Sequence, residues 1–72
     1  MSNMPSFTSK EIIRILNERG FILDRTKGSH HIFIHPVKKN RVVVPMHNRD
    51  LPKGTFYSIL KQAGIDKTEL KK

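Results

Sequence analysis

Residues 20–45 read GFILDRTKGSHHIFIHPVKKNRVVVP, and the reading of this stretch decides the fold. It holds three short runs rich in aromatic and β-branched residues, at 21–26, 30–35 and 41–45. Such side chains fit the pleated, half-buried surface of a strand better than a helix. Lys27-Gly28-Ser29 and the Pro36-Val-Lys-Lys-Asn40 segment between the runs have turn composition. Connections this short join neighbouring strands antiparallel, because a parallel pair needs a long crossover. The stretch therefore predicts a three-strand meander. Within the middle run, Ile32 and Ile34 alternate with His31, Phe33 and His35. The aliphatic pair is expected to face the core, which leaves Phe33 as filler beneath a loop rather than a base-stacking platform.

Helices flank the meander. On the N-terminal side, Thr8-Ser-Lys-Glu11 is a capping box, in which the threonine hydroxyl and the glutamate carboxylate each satisfy a free amide. Phe7 and Ile12 stand at staple spacing, Ile12, Ile13, Ile15 and Leu16 form one apolar face, and Gly20 suits a left-handed end. A helix over about 9–19 follows. On the C-terminal side, MHNRDLPKG (46–54) reads as a loop, with Asp50 as cap and Pro52 in the first turn of a second helix. Phe56, Ile59, Leu60 and Ala63 repeat at helical spacing up to Gly64, and Asp66-Lys-Thr-Glu69 can cap one further turn carrying Leu70. The order is α-β-β-β-α. It predicts an α+β domain spanning 1–72, a three-stranded antiparallel sheet with both helices packed on one face. No repeat, low-complexity tract or linker divides it.

Composition narrows the function. The chain has fourteen Lys and Arg against six acids, for a net charge of +8 and a pI near 10.3. Between positions 25 and 53 lie seven of the basic residues, one acid (Asp50) and all four histidines. A concentrated positive field suits a polyanion, since each phosphate contact releases counterions. With no cysteine, disulfides and thiolate zinc sites are excluded. MSNMPSF lacks the pattern of a signal peptide, and no apolar run reaches the ~20 residues that cross a bilayer. The expectation is a soluble cytoplasmic protein with no membrane association.

Geometry argues against a metal. Neighbours on a strand point to opposite faces, so His30 and His31 diverge. His31 and His35 share a face but stand roughly 13 Å apart along it. No metal ligand and no cofactor is expected. Proton transfer is a better use of the cluster. His30 follows a Lys-Gly-Ser turn in which Gly28 permits a left-handed backbone and close approach of a ligand. Lys27 and the amides of the turn can hold a phosphate beside the imidazole. His30 could then take a proton from a ribose 2′-hydroxyl while Lys27 steadies charge on the phosphate. A surface histidine with no role stays open as the other reading. His35, before Pro36, is expected to cap the strand end. His47, among Arg49 and Lys53, is a candidate RNA contact or second proton donor.

GSHHIFIHP (28–36), VVVPMH (42–47) and LPKGTFYSILKQAGI (51–65), in that order, resemble the HicA toxin family of bacterial toxin–antitoxin systems. The resemblance runs from the first capped helix to the turn after Gly64. It implies a fold similar to a double-stranded RNA-binding domain, an endoribonuclease activity on mRNA, and a HicB-like antitoxin that neutralises it. It places the family's essential histidine on His30, behind Gly28 and Ser29. His47 and the stretch from Lys53 to Thr55 match further recurrent positions. The site set is therefore His30 as catalytic group, with Lys27, Gly28, Ser29, His47 and Lys53 on the RNA. Two other classes compete. A non-catalytic RNA-binding module would shift RNA without cutting it, and a protein-interaction domain would use its basic face only for an acidic partner.

Overall fold

The structure, a computed structural model, describes residues 6–70. Its elements run α1 (Ser9–Glu18), β1 (Ile22–Lys27), β2 (His30–Ile34), β3 (Arg41–Pro45) and α2 (Lys53–Ala63), then a 3-10 turn at Lys67–Glu69. The sheet order is β1-β2-β3, antiparallel throughout. This is the α-β-β-β-α order read from the sequence.

Local rules explain most boundaries. The Thr8 hydroxyl accepts from the Glu11 amide at 3.2 Å, and the Thr8 amide donates to the Glu11 carboxylate at 2.8 Å. Phe7 and Ile12 are both buried, as a hydrophobic staple requires. Gly20 has φ +93, and a Cβ there would lie 3.0 Å from Nε2 of His35. Any other residue there would be strained by the backbone and would have to push the His35 ring aside. The Lys27–His30 hairpin has positive φ at Gly28 (+59) and not at Ser29. That is the pattern of a type II′ turn, whose twist suits a two-residue hairpin. The 3-10 turn carries the second capping box, with the Asp66 carboxylate accepting from Thr68. Its Glu69 accepts from Arg19 at 2.6 Å. That contact, with the Asp66 amide, holds the Glu69 carboxyl below the usual carboxylate range.

The core lies on one face of the sheet. Phe33, Val42 and Val44 point into it, and Ile12 and Leu16 of α1 and Phe56, Ile59 and Leu60 of α2 close over them. Phe7 stacks on Phe56 at 5.1 Å between ring centres, which ties the starts of the two helices together.

Two expectations are corrected. The sheet faces the other way from the sequence reading: Phe33 is 2% exposed and belongs to the core, while Ile32 and Ile34 lie half-buried on the opposite face. Phe33 pairs with Val42 and His31 with Val44, so choosing Phe33 as the inward residue also turns His31 inward. An aromatic ring buries more apolar area than an isoleucine and fills the space beneath two helices. The consequence is a half-buried His31 whose Nδ1 has no hydrogen-bond partner among the described residues. Nor does Asp50 cap α2. The cap position is Pro52, in extended conformation, with no side-chain hydrogen bond. A residue before proline is disfavoured in helical conformation, so α2 cannot begin at Leu51. Leu51 is instead buried, its amide donating to the Phe7 carbonyl at 2.8 Å.

Candidate active site

The hairpin between β1 and β2 presents four of the six expected site residues together. Lys27 and His30 are register partners, and Gly28 and Ser29 form the turn between them; all four are exposed. His30 stands on the face of the sheet opposite the helices, as its partner Pro45 and its neighbour's inward turn require. Its side chain makes no hydrogen bond or ion pair to the described residues, so the imidazole is free to meet a ligand. A Cβ at Gly28 would meet nothing within 4 Å, so the tip of the turn is open to close approach.

Backbone bonds carry this hairpin to the loop after β3. The Met46 amide donates to the Ser29 carbonyl at 2.8 Å, which extends the ladder one step past Pro45. Pro45 itself sits on the edge strand, where a missing amide hydrogen costs nothing. Next in the chain is His47, exposed, with its amide donating to Oγ of Ser9 at 3.0 Å. The Ser9 hydroxyl in turn donates to the Pro45 carbonyl at 2.7 Å. Ser9 is fully buried, so this one side chain fixes the path of the loop against the start of α1. Lys53, exposed, opens α2 at the same end of the domain, two residues after the Leu51 link to Phe7. It has no hydrogen bond or ion pair to the hairpin. His47 is thus joined to the His30 turn through the backbone, and Lys53 has no such bonded link to either.

The remaining histidines have structural surroundings. Nδ1 of His35 accepts from the amides of Val37 and Lys38 at 3.2 and 3.1 Å, and its ring meets Phe21 edge-on at 5.2 Å. It caps the end of β2, as expected. Among the described residues, no three His, Asp or Glu side chains converge as a metal site. No helix among them is long and apolar enough to cross a membrane.

The charge count needs adjustment in space. Asp24, one position before the basic stretch, accepts from Arg25 at 3.2 Å and from Arg41 at 3.1 Å. These two guanidinium groups, Arg25 first, hold its carboxyl below the usual carboxylate range. Two of the seven basic residues counted between 25 and 53 therefore share one carboxylate on the sheet, which offsets one of their two charges. Lys10, Lys27, Arg49 and Lys53, at or beside the hairpin, the 46–50 loop and the helix starts, have no acidic partner among the described residues. Lys38 and Lys39, in the turn at the opposite end of the sheet, are likewise without an acidic partner among these residues. Unpaired positive charge therefore lies at both ends, with Lys10, Lys27, Arg49 and Lys53 at the end that carries His30.

Sequence reasoning missed Ser9, Lys10 and Asn48. Ser9 reads simply as the first residue after a helix cap, and its partners lie 36 and 38 residues away. Nothing local signals such a bond.

Fold and site together define a small basic α+β domain that offers an uncommitted imidazole and unpaired lysines at one corner of a three-stranded sheet. The chain belongs to the HicA toxins of bacterial toxin–antitoxin systems, whose family model matches residues 9–65 of its 72. The match spans every element that shapes the corner, from α1 to the end of α2. No curated protein gives a significant match to the chain.

Proposed function

We propose that this toxin is a metal-independent endoribonuclease of the cytoplasm that cleaves mRNA with His30 as its catalytic group. The observation that carries the reading is the free, exposed imidazole behind an open glycine turn, with Lys27 as its cross-strand partner. A ribose-phosphate lying over the turn brings its 2′-hydroxyl to His30. The imidazole nitrogen takes that proton, and the 2′-oxygen attacks the adjoining phosphorus. The bond from phosphorus to the 5′-oxygen breaks, and that oxygen leaves with a proton from water or from a second acid. The products are a 2′,3′-cyclic phosphate and a 5′-hydroxyl. Lys27 and the turn amides stabilise the charge that builds on the phosphate oxygens. His47 and Lys53 extend the contact along the strand.

A HicB-like antitoxin completes the system. A basic corner with unpaired lysines offers an acidic partner fast, charge-steered association. Covering that corner removes the protein from RNA without any change in fold.

Lys27 and Lys53 serve as point charges, so replacing either with alanine should weaken RNA binding without abolishing the chemistry. Each loss should flatten the dependence of log affinity on log salt by about 0.7–1. Affinity measured across a salt series checks this, and a slope identical to wild type would remove that lysine from the interface. Intact RNA with a clear gel shift would favour a binding module over a nuclease.

A further inference from the structure

Between the start of α1 and the loop after β3 lies an open groove of about 290 Å³, lined by Thr8, Lys10, Met46, His47 and Asn48. We propose that it is the subsite for the ribonucleotide next to the bond that is cut, with Lys10 on phosphate and Asn48 reading the base edge. The inference rests on RNA being the substrate and adds residues that the His30 chemistry does not use.

Its position carries the first part. Met46, which lines the groove, is bonded through its amide to Ser29, the residue before His30. Adjacent strands lie only about 4.8 Å apart, so the groove begins one strand from the turn. Because His30 faces away from the helices, an RNA strand reaches it by crossing the end of the sheet past Pro45 and Met46. The groove is also built rather than accidental. Ser9, 0% exposed, bridges the Pro45 carbonyl and the His47 amide, so the loop wall is locked against the helix wall before any ligand arrives. Such locking lowers the ordering cost of binding.

The lining chemistry carries the second part. None of the five residues is acidic, and Lys10 has no acidic partner among the described residues. An ammonium is a compact donor suited to a phosphate oxygen. An exposed Asn48 offers both a donor and an acceptor, as a base edge requires. Met46 supplies a polarizable apolar surface for the face of a base. The size of the groove is near the lower end of ligand pockets, roughly 300 Å³, which suits one nucleotide rather than a longer segment.

The test starts with binding. Isotope-labelled His30→Ala protein, titrated with a short mixed-sequence oligoribonucleotide, should show amide shifts at 8–10 and 46–48 as well as at the hairpin. Shifts confined to the hairpin, or none at all in the groove, would overturn the subsite. In the active protein, Asn48→Ala should raise KM about tenfold and alter base preference beside the cut, with kcat changed much less. Lys10→Ala should flatten the salt dependence of binding by about 0.7. Natively folded variants with wild-type KM, base preference and salt slope would also overturn it. If the wild-type protein cut no RNA, the nuclease reading would fall by itself. The titration would still decide the groove, because it reads binding alone.

Discussion

Replacing His30 with alanine should lower the rate of RNA cleavage by about 10²–10⁴-fold and relieve growth arrest, because that is the usual worth of a positioned general base. The fold should not change. His30 is exposed, its side chain makes no hydrogen bond to the described residues, and it sits where β2 begins rather than in the core. Circular dichroism and melting temperature close to wild type are therefore part of the expected result. A natively folded, fully active variant would remove His30 from the chemistry. The other histidines give useful contrasts. His35→Ala should cost stability, since the ring caps the chain after β2 and packs on Phe21.

Phe33→Ala should produce the largest loss of stability, about 3–5 kcal/mol, the usual cost of deleting a buried aromatic ring. A domain of 72 residues holds only roughly 4–11 kcal/mol in total at typical values per residue. The variant should therefore be largely unfolded in mild denaturant and substantially so on warming. Ile34→Ala, one position along the same strand, should cost far less, because Ile34 is half-buried on the open face of the sheet. Urea titrations of the two variants decide which face of β2 supports the core. Equal losses, or a larger loss at Ile34, would contradict the observed orientation.

That orientation marks the boundary of what the sequence discloses. The capping boxes at Thr8 and Asp66, the Gly28 turn and the three strands follow from rules acting over a few residues, and all are where the sequence puts them. The face of β2 depends instead on what covers it. His31-Ile-Phe-Ile offers an apolar residue on either side, and the run Val42-Val43-Val44 in the neighbouring strand is apolar on both, so alternation alone leaves the choice open. The two helices settle it by leaving a space that a phenylalanine fills. Asp50 failed as a cap for a local reason that was legible: Pro52 bars a helix from starting at Leu51.

The site divides in the same way. The catalytic candidate and its turn were legible because glycine, serine and histidine follow one another in the chain. The free charge around them was not, since Asp24 reaches across the sheet to Arg41, 17 residues away in sequence. Neither was the Ser9 bridge, which joins α1 to the loop after β3. Both bonds depend on a sheet already folded, and neither has a signal within a few residues of the sequence.

The most direct test of His30-dependent, metal-free cleavage is the chemistry of the cut ends. Purified protein should be incubated with RNA in the presence of a chelator and the fragments analysed by mass. The mechanism predicts 2′,3′-cyclic phosphate and 5′-hydroxyl ends, and no cleavage at a site carrying a 2′-deoxyribose or by the folded His30→Ala variant. Cleavage that stops with chelation, or fragments with 3′-hydroxyl and 5′-phosphate ends, would contradict it.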